Sequence, residues 1–103
     1  MLMMSAMSTW NSSTGLNDLV LEITMSDHTV ITNVPYTWEI TYTQSSNLKV
    51  GQTGEGPLSF PNTGISYTTM LKLTTKESYL DNRGNLAPLT RETSINHNLS
   101  WKP

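Results

Sequence analysis

The residues able to do chemistry are few and far apart. His28 and His97 are the only imidazoles, and the chain has no cysteine. A zinc centre needs three or four converging ligands, and neither histidine has a neighbour at ligand spacing. His97 falls on the apolar face of its run with Ile95 and Leu99, and His28 sits beside Asp27 in a turn. Asp81, Asn82 and Asn85 resemble the start of a calcium loop, but Arg83 stands in its middle and repels a cation. The sequence calls for no metal and no cofactor.

Catalytic patterns fare no better. Serines abound, yet none sits in a G-x-S-x-G elbow. The eight carboxylates are dispersed, and a chain of 103 residues leaves little room for a cleft around an acid pair. The loop GQTGEGP at 51–57 has the glycines of a phosphate cradle but leads into Pro57 and a short strand. A cradle requires a helix N-terminus at that place. The expectation is that the chain is not an enzyme. Two Asn-x-Ser triplets, at Asn11 and Asn98, fall within what nine asparagines among many serines produce by chance.

Aromatic residues are the better candidates for recognition. Tyr36, Trp38, Ile40 and Tyr42 alternate within PYTWEITYTQ and would share one strand face, aligned for a core. The opposite face, Thr37, Glu39, Thr41 and Thr43, is then free for solvent or a neighbouring subunit. Trp10 and Trp101, near the two ends, are the tryptophans best placed for exposure to a ligand such as carbohydrate. Trp10, Trp101, Thr37, Glu39, Thr41 and Thr43 form the candidate partner or ligand surface.

The elements that must carry these residues are strands. Period 2 dominates: Leu19, Leu21, Ile23 and Met25 alternate with Val20, Glu22, Thr24 and Ser26. Val30, Thr32 and Val34 follow after a turn at Asp27–His28. Residues 45–64 are rich in turn formers and should hold short strands near 48–50 and 58–60. Ile65, Tyr67, Leu71 and Leu73 point one way along the longest run, and DNRGN at 81–85 marks a turn. About seven strands at roughly 8–12-residue spacing predict an antiparallel β-sandwich, Ig-like or transthyretin-like, with a jelly-roll-like arrangement as second choice. Residues 11–103 form the single domain. Residues 1–10, which lack the basic start of a signal peptide, read as an apolar N-terminal arm or a non-native remnant.

Composition narrows the environment. Only 14% of residues are charged, against about 25% in ordinary soluble domains, while Thr, Ser and Asn number 16, 12 and 9. A net charge of −2 with scattered basic residues argues against nucleic acid, which needs a basic face. No apolar run approaches the ~20 residues of a membrane-spanning helix. The expected role is a non-enzymatic structural or assembly domain, such as a virion, phage or surface-filament subunit or its accessory factor. Its partner would be protein, through self-association or an assembly contact. The alternative is a small extracytoplasmic module that binds carbohydrate, or a pilotin-like or chaperone-like sandwich with one protein partner. Either role places the chain outside the cytoplasm, at a cell surface, in a periplasm or in a virion.

Overall fold

Leu19, Leu21 and Ile23 are wholly shielded from solvent, and this alternating row organises the molecule. The structure, a computed structural model, describes residues 2–60 and 67–97. Within them lie eight strands: β1 (Met3–Asn11), β2 (Leu16–Thr24), β3 (Val30–Ile31), β4 (Tyr36–Thr43), β5 (Thr53–Glu55), β6 (Ser59–Phe60), β7 (Tyr67–Leu80) and β8 (Leu86–His97). They form two packed antiparallel sheets, the β-sandwich that the alternation predicts. In the first sheet β2 lies between β1 and a divided neighbour made of β3 and β6. The second runs β5-β4-β7-β8.

Each sheet contributes one apolar face to the core. Met4, Leu19, Leu21, Ile23 and Phe60 come from the first, and Tyr36, Ile40, Leu71 and Leu73 from the second. Turn chemistry sits where the sequence places it. Asp27 Oδ1 accepts from Thr29 N (3.0 Å), and His28 adopts a positive φ of 71° between β2 and β3. At the β7–β8 turn Asp81 Oδ1 accepts from Arg83 N and Asn85 N, and Gly84 takes φ 82°. A side chain is strained there, which is the reason for glycine.

Four expectations give way to the geometry. Residues 3–10 are not an arm: they belong to β1, paired without interruption from Met3↔Thr24 to Asn11↔Leu16, with Met4 in the core. Small serines between the methionines hid the alternation. Residues 48–50 lie in a turn region, and the strand of this segment is β5, inside the GQTGEGP stretch. Val30 is exposed while Val34 is buried, because Asn33 takes φ 53° and breaks the alternation. In β4 the register slips between Ile40 and Tyr42, a β-bulge. One extra residue reverses which face the following side chains occupy. Tyr42 therefore turns outward, 45% exposed beside Met70, and Thr43 turns inward to bond the buried Thr69 hydroxyl (3.0 Å).

Tyr36 closes the gap left where β3 and β6 divide. Leu19 N donates to Leu58 O (2.9 Å), and Val34 N donates to Leu21 O (2.9 Å). Between these contacts the Tyr36 hydroxyl donates to Leu19 O and accepts from Leu58 N (3.0 Å). A side chain from the opposite sheet thus supplies bonds that a continuous strand would otherwise make. Beside it lies an apolar cavity of about 230 Å³ lined by Leu19, Val34, Pro35 and Pro57 among others. Burial pushes the Tyr36 phenol above its ordinary value.

Candidate interaction edge

A sheet edge presents unpaired N–H and C=O groups, so each edge of a sandwich must be covered, shortened or defended. The far side of β2 is covered by β3, β6 and the Tyr36 hydroxyl. The β5 edge is three residues long and carries Glu55, paired with Lys76 at 3.5 Å. The β8 edge is twelve residues long but heavily marked. Pro88 lies opposite Ser78, next to a break in register between Thr74 and Ser78. Arg91, opposite the buried Leu73, is an inward-directed charge whose guanidinium donates to Met4 O across the sandwich. Proline, irregular pairing and inward charge are the devices that prevent strands from adding to an edge.

The β1 edge has none of them. Its nine residues, MMSAMSTWN, include no charge, no proline and no glycine. Which of its backbone groups are free follows from β2. Leu19 and Leu21 direct their backbone toward Leu58 and Val34, so their even-numbered neighbours face β1. The register sets Glu22, Val20 and Asp18 opposite Ser5, Met7 and Thr9. Those three residues bond β2, and the backbones of Ala6, Ser8 and Trp10 point off the sheet. Two contacts agree with this parity: Leu2 N donates to Asn82 Oδ1 (3.0 Å), and Met4 O accepts from Arg91. Among the described residues, nothing bonds the backbone of Ala6, Ser8 or Trp10. Their side chains line the inner face, where, among the described residues, the buried Ser8 Oγ has no hydrogen-bond partner. On the outer face Met3 and Met7 stand 59% and 46% exposed.

The surface expected from the sequence is partly assembled. Trp10 lies half-buried in β1, the strand with the open edge. Trp101 and the side chain of His97 fall outside the described residues. Thr37 and Glu39 do share the outer face of β4, with Thr53, Glu55, Lys72 and Thr74 around a shallow depression of about 340 Å³. Thr41 is exposed at the bulge and donates to Met70 O (3.2 Å), whereas Thr43 has left the group. Trp38 lays its indole over Gly54: a methyl there would lie 2.7 Å from Cε2. Comparison with protein-family models, curated proteins and solved structures finds no match. The functional reading therefore rests on geometry.

Titratable groups add little chemistry. The Asp27 carboxyl is lowered, first by the Thr29 backbone N–H and then by its hydroxyl. Asp18 accepts from Ser59 Oγ (2.6 Å) and from Asn11 Nδ2 (3.0 Å), which ties β6 and the end of β1 to β2. Among the described residues, no three His, Cys, Asp or Glu converge as metal ligands, and no helix is long and apolar enough to cross a membrane. An apolar arm at residues 1–10 and an open edge strand differ only in pairing, which the sequence of this segment does not show. The signal of a strand was present in the alternation of Met4, Ala6, Ser8 and Trp10 against Met3, Ser5, Met7 and Thr9.

Proposed function

We propose that the chain is a non-enzymatic assembly module that takes up a β-strand from a protein partner along β1. The observation that carries this reading is the outward-facing backbone of Ala6, Ser8 and Trp10 on an uncharged, regular edge strand. Strand addition draws affinity from main-chain hydrogen bonds and selectivity from alternate side chains. The contrast with β8 supports it, since among the described residues one long edge of the same sandwich is guarded and the other is open. The weakly charged, hydroxyl-rich composition suits a virion, phage or surface-filament subunit, or an accessory factor, working outside the cytoplasm.

Ala6→Pro tests the reading. The Ala6 N–H makes no bond within the sheet, so proline there removes a donor needed only by an added strand. Tagged chain is recovered from its native cells with whatever it holds, its own copies included, and compared with the variant. Loss of the bound protein by a variant that melts normally supports the proposal. A folded Ala6→Pro chain that keeps the same partner contradicts it, as does a wild-type chain that holds nothing.

A further inference from the structure

We infer that the strand added at β1 belongs to a second copy of this chain, running antiparallel with Ser8 opposite Ser8. This rests on the strand-addition reading and specifies its partner. A two-fold contact places a stretch of chain against itself, so any charge in it meets a like charge or must be offset. Met3–Asn11 carries none.

The register follows from which groups are already engaged. Leu2 N is held by Asn82 and Met4 O by Arg91, so the free run is Ala6, Ser8 and Trp10. Its midpoint is Ser8. A two-fold axis there sets Ala6 against Trp10, Ser8 against Ser8 and Trp10 against Ala6. Each pair joins residues whose backbones point outward, and such a pair exchanges two N–H···O bonds, for about six in all. The inner-face side chains fit the same register. Trp10, the largest of the run, faces Ala6, the smallest. The buried Ser8 hydroxyl, without a partner among the described residues, meets the Ser8 hydroxyl of the second copy. Cross-strand serine pairs of this kind hydrogen-bond, and an orphaned buried hydroxyl is uncommon in a finished structure. On the outer face Met7 stands opposite Thr9. The two first sheets then join into one sheet through the seam.

Two measurements on the full chain decide this. Sedimentation equilibrium from micromolar to millimolar concentration should show a dimer, and Ser8→Pro, whose lost N–H serves only the seam, should be monomeric with an unchanged melt. If Ser8→Pro does not fold, Ser8→Lys, an inward charge at the seam, replaces it. Register is read by disulfide trapping, since the chain has no other cysteine. Met7→Cys and Thr9→Cys chains, mixed and oxidised, should form the mixed disulfide in several-fold excess over either homodimer, because Met7 and Thr9 are directly opposed. A wild-type chain monomeric throughout, a folded Ser8 variant that still dimerises, or a dominant Met7→Cys homodimer would each overturn the inference. A monomeric chain that nevertheless holds an Ala6-dependent partner discards the second copy and leaves strand addition standing.

Discussion

Replacing Tyr36 by phenylalanine removes one oxygen and should cost more than most core truncations of that size. Among the described residues, the hydroxyl is the one group bridging Leu19 O and Leu58 N between β2 and the residues before β6. Tyr36, Leu19 and Leu58 are all buried and the adjoining cavity is mostly apolar, so a replacing water would find few partners beyond these two groups. Each orphaned backbone group costs about 1–3 kcal/mol, offset in part by no longer burying the hydroxyl. The net expectation is a loss of about 2–4 kcal/mol, a large share of the ~5–15 kcal/mol that holds a domain together. Urea unfolding should show a lower midpoint with the slope unchanged, since the same surface is exposed. Tyr79→Phe serves as the control. Among the described residues its hydroxyl reaches only the exposed Glu77 carboxylate, at 3.4 Å, and its loss should cost under about 1 kcal/mol. If Tyr36→Phe costs no more than Tyr79→Phe, the gap in the first sheet is not closed by the phenol and the reasoning fails.

Gly54→Ala should destabilise the chain by about 1–3 kcal/mol and change tryptophan emission, because the added methyl displaces the Trp38 indole; an unaltered spectrum and melt would show that the ring does not rest there. Gly84→Ala, forced to φ 82° in the β7–β8 turn, should cost about 1–2 kcal/mol by urea titration, and Gly84→Asn less. Alkali should unfold the protein cooperatively. Burial is the first cause raising the Tyr36, Tyr67 and Tyr79 phenols above 10.0, so the folded state holds those protons more tightly than the unfolded chain. Their contribution is intact below about pH 10 and is lost as pH climbs through the raised folded values. Urea midpoints measured from pH 8 to 12 should fall only in the upper part of that range, and a flat profile would contradict the burial of these rings.

Much of the sandwich was legible because burial on one face imposes period 2, as in Leu19, Leu21 and Ile23, and in Leu71 and Leu73. The turns at Asp27–His28 and Asp81–Asn85 were legible because their residue types suit those backbone angles. What escaped was non-local. The bulge that turns Tyr42 outward depends on the pairing of β4 with β7, and PYTWEITYTQ carries no local mark of it. Thr69 shares the inward parity of Tyr67 and Leu71, but its hydroxyl partner Thr43 comes inward only through the same bulge. The role of Tyr36 required a neighbour strand divided between residues 31 and 59, a property of two sheets rather than of one segment. The openness of β1 could be judged only against Pro88 and Arg91 on β8, which sequence alone does not place at an opposing edge.

Residue-resolved amide hydrogen exchange along β1, at low and at high chain concentration, tests the open edge most directly. In dilute solution Ser5, Met7 and Thr9, bonded to β2, should exchange slowly while Ala6, Ser8 and Trp10 exchange fast. At high concentration the second set should become protected as well, and in Ser8→Pro the Ala6 and Trp10 amides should stay fast. Protection of Ala6, Ser8 and Trp10 in the dilute chain, or fast exchange of these three at every concentration and in the native assembly, would contradict a β1 edge built to receive a strand.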